Sequence, residues 1–594
     1  MAVNYKAPVK DILFAFDVLN SYEKLNNIDR FKDFNLDIAV PAIEECSKFA
    51  EEVLAPINAD GDKHGAKYNN GVVNMPPGFI EAYEKFKNAG WASISLPSEI
   101  GGGGMPYLLS GGTLEILCTA NMAFVLGPGL SIGAISGINE HASQEQKDKF
   151  LPKLVSGEWT GTMNLSEPQS GSDLNNLTTK AEPQDDGTYK ITGTKIWIGS
   201  GEHDLSDNIV HLVLARVPGS PEGTKGISMF IVPKYIVNDD SSLGERNNVN
   251  CISIEEKLGI HGSPTCVMEY DGATGYLVGD ENRGLNYMFT TINEARIRVG
   301  GHGLACTTGA LQGAAQYARD RVQGRPVGMT KEDAKNSTII DHADVRRMLM
   351  TIKAYSEAMR YMMYDNQMML DFYYFGNKEQ KNYGEMRCGL LTPISKSWIS
   401  DLSVELTSMA IQVYGGMGYV EETGVAQYFR DARIAPIYAG TNGIQALDLT
   451  LKKIHIDDGK AVDTLFDEML SVTNELKDNE RLSKLNETLG VHIENLIKST
   501  EKIRKLLIND NQRRISGFST AYTKMFGQVL GGYYMAKAAI LADKMYKETG
   551  NEFYKDKITL SKFYIEQLLP LSAINLPSLD ADVEDLFLIN SKNI

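Results

Sequence analysis

The 594-residue chain has little of what marks a metal centre, a disulfide scaffold or a membrane span. Its six cysteines, Cys46, Cys118, Cys251, Cys266, Cys306 and Cys388, include no CxxC pair. So few, so scattered, they are expected to be reduced, mostly buried thiols of a cytoplasmic protein. Nine histidines show no HExxH spacing, and no metal site is signalled. No run of about 18 apolar residues suggests a membrane span. Met1 to Phe16 carries Lys6, Lys10 and Asp11 and lacks the continuous apolar stretch of a secretory signal, so none is expected there. Positive charge is also short: 59 Lys and Arg face 76 Asp and Glu, a formal net charge of −17. Phosphate binding needs clustered cations, so a nucleic-acid or membrane-surface role is disfavoured. One locally basic stretch, Lys498 to Arg514, reads as a solvated helix face, with a polyanion site as the alternative.

What is present suits a large soluble protein, with 43% hydrophobic and 23% charged residues. Residues 1–35 read as a short helical arm, with Ile12, Leu13, Phe16 and Leu19 on one face. Residues 36–160 read as a helical domain, with Asp37 to Leu54 helical up to Pro56 and Phe79 to Ala89 closed by Gly90. Gly101 to Gly104 reads as a flexible turn before a helix starting near Ser110. Residues 161–284 change character. Thr188 to Ile198 alternates, and Asn208 to Val217 and Gly226 to Val232 are β-branched runs, which predicts short antiparallel strands. Residues 285–455 return to helical spacing over 290–322, 340–375 and 392–414, lengths that suggest an antiparallel bundle. Residues 456–594 add a further helical domain, ending near Leu569-Pro570 before a loosely ordered tail. Met359, Met362, Met363, Met368 and Met369 invite thought of a thioether ligand; core filling is the preferred reading.

Three segments carry chemistry. Leu165 to Asp173 places Ser166, Ser170, Gly171 and Ser172 together, a small-residue loop that a ring or phosphate could approach closely. Trp197 follows on the strand Lys195 to Ile198, where an aromatic can cover a planar cofactor; taken alone it reads as core. Gln412-Val-Tyr-Gly-Gly-Met-Gly418 and Arg430 to Arg433 precede Ile437-Tyr-Ala-Gly-Thr-Asn-Gly-Ile-Gln445.

In this order the segments resemble the flavin-dependent acyl-CoA dehydrogenases over roughly residues 40–455, with both family signatures degraded. Asn164 and Asn176 stand where small residues are usual, and Gln427 where a cation is usual. Gly259 to Gly262, Gly272 to Gly279 and Ala318 to Arg325 look like the long branch with added terminal helices. That branch includes enzymes acting on 3-(methylthio)propanoyl-CoA, in dimethylsulfoniopropionate breakdown, and on fatty acyl chains. The resemblance implies an α+β fold: an N-terminal helical domain, a middle β-barrel, a C-terminal four-helix bundle and an extra helical domain. It implies FAD held by Ser166, Ser172, Trp197, Gln412, Gly415, Gly416 and Thr441, and by Arg321 and Gln323 reaching a neighbouring subunit. A homo-oligomer, with the extra domain favouring a dimer, is therefore expected, with an electron-transfer flavoprotein as acceptor. Gly199 and Gly443 replace side chains often found near the flavin, and Ser200 lies beside the first.

By the same resemblance Ser172, Arg296, Tyr438, Ala439 and Gly440 would meet the acyl-CoA. Position 439 carries a glutamate in most of the family, the base that takes the α-proton. Here it is Ala439, which accepts no proton, while its backbone N–H can still hold a thioester oxygen. Glu294, one residue from where some relatives place the base, is an alternative; a surface or helix-start carboxylate is its plainer reading. Three expectations follow: an acyl-CoA dehydrogenase whose base has been replaced, a natural member catalysing elimination instead, or a flavin-containing nucleic-acid-binding relative.

Overall fold

The computed structural model describes residues 3–594. Its first helices are α1 (Val9–Val18), α2 (Leu36–Phe49), α3 (Phe79–Asn88), α4 (Tyr107–His141) and α5 (Gln144–Ser156). The seven strands of the main sheet follow: β1 (Trp159–Asn164), β2 (Lys180–Pro183), β3 (Tyr189–Gly199), β4 (Asn208–Ala215), β5 (Ser228–Pro233), β6 (Val249–Ile254) and β7 (Thr265–Leu277). Then come α6 (Gly284–Asp320), α7 (Ala343–Phe375), α8 (Lys378–Tyr414), α9 (Val425–Ala432) and α10 (Asn442–Leu451). The last block is α11 (Lys460–Asp478), α12 (Ser483–Ile508), α13 (Gln512–Thr549) and α14 (Glu552–Phe563). Contacts divide the chain into two units. A sheet unit holds Glu45–Ser110 and Ile116–Ala295; a bundle unit holds residues up to Glu44, Gly111–Glu115 and Arg296–Ile594.

In the sheet unit the strand order is β1-β4-β5-β7-β3-β2, with β6 on β7. Most pairings are antiparallel, as expected, but β1 pairs with β4 in parallel, Trp159 opposite Asn208. A parallel bridge between Lys180 and Arg216 brings β2 back to the end of β4, so the sheet curls towards a barrel. Every residue of β4 is buried. Val210, Leu212 and Leu214 face one apolar cluster with Phe150 and Trp159, while Val213 and Ala215 face another with Phe230. Burial on both faces explains why this strand reads as a continuous apolar run. The glycine turn is tight where a flexible one was expected. Gly102 and Gly103 donate to the carbonyls of Pro97 and Ser93, and a Cβ on Gly102 would lie 2.2 Å from the Leu96 oxygen. The helix then starts at Tyr107, with Pro106 in front of it. This helix, α4, is long and apolar enough to cross a membrane, but 78% of its apolar stretch is buried in the protein.

In the bundle unit α8 starts well before residue 392. Asn377 caps it, its side chain accepting from the N–H groups of Glu379 and Gln380, while Gln380 answers onto the Asn377 N–H at 2.8 Å. This reciprocal cap sets the start, and Pro393 is carried inside the helix. The methionines of α7 are core: Met359, Met362, Met363 and Met368 have no solvent exposure and Met369 only 2%. The C-terminal tail is better anchored than expected, since Arg513 bridges Glu584 at 3.0 Å and Val583 would meet any Cβ on Gly517. All six cysteines are free, five of them buried.

A charge cluster in this unit ties together segments far apart in sequence. Glu357 on α7 meets Lys353 (2.8 Å), Arg360 (3.2 Å) and Lys557 of α14 (2.7 Å). Asp11 of α1 meets Lys353 (2.5 Å) and Lys557 (2.7 Å), and Glu115 meets Arg360 at 2.6 Å. Three acids, Asp11, Glu115 and Glu357, thus balance three bases, Lys353, Arg360 and Lys557. Burial pushes both Asp11 and Glu357 upward. Lys353 and Lys557 outweigh that at Asp11 and hold it far below the usual carboxylate range. At Glu357, where Asp11 adds to the upward push, Lys353, Lys557 and Arg360 hold the carboxyl at about 2. The sign follows from linkage. Carboxylates with depressed folded pKa values stabilise the fold above their unfolded values of about 4 and lose that contribution as pH falls. Melting temperature should therefore fall steeply below about pH 4, and the Asp11→Asn variant should show a shallower acid limb in the same scans.

Candidate functional site

The turn between α9 and α10 is set by backbone geometry first. Ala439 has φ of +54° and Gly440 φ of +85°, two successive left-handed residues. An alanine in that conformation costs roughly 1 kcal/mol. Gly440 suits this backbone: at φ of +85° a side chain would be strained, and a Cβ would sit 2.9 Å from Gln445 Nε2. The turn is closed by Asn442 N–H donating to the Pro436 carbonyl (3.0 Å) and by Thr441, which caps α10 through the Ile444 N–H (3.4 Å). Arg296 of α6 donates from Nε to the Ala439 carbonyl at 3.3 Å. With its carbonyl engaged by Arg296, Ala439 lies two residues ahead of Thr441, the cap of α10. Tyr438 Oη lies 2.5 Å from His302 Nδ1. Burial, with help from Arg298, pulls His302 down to about 4, so the imidazole is neutral at pH 7. Ala439→Gly should relieve the left-handed strain and raise stability by up to about 1 kcal/mol in denaturant titrations, with the turn kept.

In the sheet unit the Ser166–Ser172 loop is pinned by a buried ion pair that the sequence reading did not single out. Lys195 Nζ contacts Glu167 Oε1 at 2.8 Å and donates to the Leu165 carbonyl at 3.0 Å. Glu167 also accepts from the N–H groups of Thr178 (2.8 Å) and Thr179 (3.1 Å). Burial pushes the Glu167 carboxyl up, but Lys195 and these donors bring it to about 2. Burial pulls Lys195 down to about 8, against the pull of Glu167, so the pair is ionised at neutral pH. Ser166 accepts from the Ile196 N–H at 2.9 Å, which fastens the loop beside Trp197. Trp197 is 61% exposed and has φ of +62°. A bulky aromatic in left-handed backbone is a true outlier. The strand is bent so that this ring faces outward, which overturns the plain core reading. Ser166 is half-buried and Ser172 exposed. Gly199 has a packing reason, since a side chain there would meet Leu130 at 2.9 Å. Ser200 does not stand in for it: it is buried and faces Gly127.

Gln412, Gly415 and Gly416 lie together and exposed at the end of α8, with nothing within 4 Å of where a Cβ would stand on either glycine. Arg321 and Gln323 lie in the exposed segment after α6, their carbonyls held by the Ile339 N–H (2.8 Å) and by His342 (2.9 Å). Glu294 is neither at the surface nor at a helix start. It is 2% exposed within α6, where Ser136 Oγ donates to it at 3.2 Å. The basic stretch is largely neutralised: Lys498 meets Glu494, Lys502 meets Asp580, Arg504 meets Asp463 and Arg513 meets Glu584. Two further residues escaped the sequence reading. Lys396, fully buried, donates to Asn442 Oδ1 at 2.8 Å, and Gln445 is 1% exposed with neither amide atom hydrogen-bonded. No signal in the sequence separates that lysine from an ordinary surface one.

The comparisons with known proteins decide the family. Models of the N-terminal, middle and C-terminal domains of acyl-CoA dehydrogenase match residues 42–158, 162–273 and 282–451. The chain belongs to the acyl-CoA dehydrogenase family. A further model, acetyl-CoA dehydrogenase C-terminal like, matches residues 465–588. The 3-methylmercaptopropionyl-CoA dehydrogenase of Ruegeria pomeroyi is 41% identical, covering 96% of each chain. A butyryl-CoA dehydrogenase of Syntrophomonas wolfei is 33% identical over 96% of this chain and 95% of its own. The fold is shared with an acyl-CoA dehydrogenase of Bacillus anthracis complexed with FAD, at a TM-score of 0.73 and 19% identity, covering 96% of this chain and 91% of that one. Membership makes the protein an oxidoreductase by descent.

Proposed function

We propose that this acyl-CoA dehydrogenase chain holds FAD and an acyl-CoA thioester and lacks the group that removes the α-proton. The observation that carries the reading is the turn itself. Ala439 keeps a strained left-handed backbone and an engaged carbonyl just ahead of the α10 cap, with no carboxylate to use them. FAD is the family's cofactor, and the residues present fit it. Trp197 offers an exposed ring on bent backbone, and Gly171, Gly415 and Gly416 leave open space around their backbones. Ser166, Ser172, Trp197, Thr441, Gln412, Gly415 and Gly416 would hold it, with Arg321 and Gln323 reaching the cofactor of a second copy in a dimer. When bound, FAD supplies the acceptor for the hydride that leaves the β-carbon.

The chain's own residues do the rest. The Ala439 N–H donates to the thioester oxygen, the atom on which negative charge grows as the α-proton leaves. Arg296 braces the turn from behind, and Tyr438 and Gly440 border the acyl group. Ser172 lies in the loop that meets the CoA arm. The 3-(methylthio)propanoyl thioester is the proposed substrate, supported by the 41% identical relative, a 3-methylmercaptopropionyl-CoA dehydrogenase matched over 96% of both chains. An electron-transfer flavoprotein as acceptor, a cytoplasmic setting and a place in dimethylsulfoniopropionate breakdown belong to the same proposal. The test is to restore the carboxylate by Ala439→Glu and watch the flavin absorbance on adding the thioester. The elimination reading has one observation in its favour, the missing carboxylate, and requires product from the Ala439 chain with no electron acceptor.

A further inference from the structure

Asn442, the first residue of α10, spends its whole side chain on one stretch of α8. Its Oδ1 accepts from Lys396 Nζ (2.8 Å) and Ser400 Oγ (3.3 Å). Its Nδ2 donates to Asp401 Oδ1 (2.7 Å), Ser400 Oγ (2.9 Å) and the Ser397 carbonyl (3.1 Å). Lys396 has no solvent exposure and Asn442 only 9%. Asp401 in turn turns its other oxygen towards Lys524 of α13, at 3.9 Å. The chain is therefore continuous from the last helical block, through Asp401 and Asn442, to the turn.

A lysine is an expensive way to fill this space. A buried ammonium that meets an amide oxygen loses more in desolvation than one neutral acceptor returns. The position is also beside the first residue of α10, where the helix dipole disfavours a cation. A methionine would pack in the same volume without either cost. We infer that Lys396 is a positioning residue for the thioester site: through Asn442 it fixes the Tyr438–Thr441 turn and adds positive potential at the Ala439 N–H. This rests on the dehydrogenase reading of the site. The groups that face Lys396 are Asp401 on its own helix, Arg296 from α6 and the Asn442 amide from α10; Asp401 is itself faced by Lys524, and Arg296 by Asp448. Burial pulls the ammonium down, Asp401 partly restores it and Arg296 lowers it again, leaving it at about 7. The strut thus gains or loses its charge near neutral pH.

The test uses the FAD-loaded full chain with 2-butenoyl-CoA as probe, followed by the change it causes in flavin absorbance. Thioester binding should be tighter at about pH 6 than at about pH 8, by roughly 5-fold, the linkage of a one-unit rise in the Lys396 pKa on binding. Lys396→Met should bind weakly and equally at both. Lys396→Arg, which cannot lose its charge, should bind as the parent does at the lower pH, at both. A purely structural lysine would change FAD content and melting temperature and leave the pH dependence of all folded variants alike. Should Lys396→Met not fold, the arginine variant decides, because a profile like the parent's overturns the assignment. If the parent binds and the variants titrate as it does, the strut falls and the dehydrogenase reading stands. If the FAD-loaded parent binds no thioester at either pH, both fall.

Discussion

Ala439→Glu should give the FAD-loaded chain a thioester-dependent bleaching of its flavin that the unchanged chain lacks. The backbone at 439 is already left-handed with a Cβ in place, so a glutamate meets no strain that alanine does not already meet. The N–H that would polarise the thioester is unchanged, and Arg296 still holds the carbonyl at 3.3 Å. The variant therefore adds one thing, a proton acceptor at the α-carbon. A placed base contributes roughly 10²–10⁴-fold in typical cases, and here it opens the reaction, so the gain should reach or exceed the upper figure. The measurement is anaerobic titration of native and Ala439→Glu chains with 3-(methylthio)propanoyl-CoA and with butanoyl-CoA. Bleaching by the first at lower concentration supports the proposed substrate. No bleaching by any acyl-CoA, in a variant shown to bind FAD, sinks the dehydrogenase reading. Product from the Ala439 chain without an electron acceptor would move the assignment to elimination.

The second large effect lies far from the turn. Glu357→Gln should unfold or nearly unfold the bundle unit. Its carboxylate has no solvent exposure and is shared by Lys353, Arg360 and Lys557. Removing it leaves buried Arg360 and Lys557 and half-buried Lys353 against Asp11 and Glu115. Breaking a buried ion pair by removing one partner costs roughly 3–5 kcal/mol, because the remaining charge stays desolvated. That is a large part of the roughly 5–15 kcal/mol that keeps a domain folded. The contrast is Asp344→Ala on the same helix. Asp344 is 73% exposed and pairs with Arg347 at 2.7 Å, and exposed pairs contribute less than about 1 kcal/mol. Thermal melts and soluble yield should separate the two variants clearly. Equal, small losses in both would show that the cluster is not what joins α1 and α14 to the bundle.

Much of the architecture was legible because its signals are local. The apolar period of 290–322 and 340–375 anticipates α6 and α7, and the β-branched run at Asn208 anticipates β4. Where the sequence reading went astray, a distant partner had decided. The glycine run at 101–104 reads as loose because glycine is permissive; the carbonyls of Pro97, Ser93 and Leu96 make it tight. The parallel pairing of β1 with β4 is invisible because β4, buried on both faces, pairs parallel on one side and antiparallel on the other with the same apolar run. Trp197 reads as core because aromatics usually are. Its left-handed φ comes from the loop and sheet that hold Ser166 and Ser200 on either side of it.

By itself the sequence determined the order of helical, β and helical regions, the segments that carry the family's chemistry, and the absence of a carboxylate at 439. These follow from residue types and short spacings, which are fixed by covalent order. The tertiary structure alone decided that Ala439 is held in a conformation an alanine does not favour, and that buried Lys396 meets Asn442 at the start of α10. It alone decided that Glu167 and Lys195 pin the serine loop and that Asp11 reaches Lys557. Each of these is a choice of partner for a buried charge or a strained backbone, and such partners are selected by the low dielectric and close packing of the folded interior, across separations of 28 residues for Glu167 and Lys195 and 546 for Asp11 and Lys557.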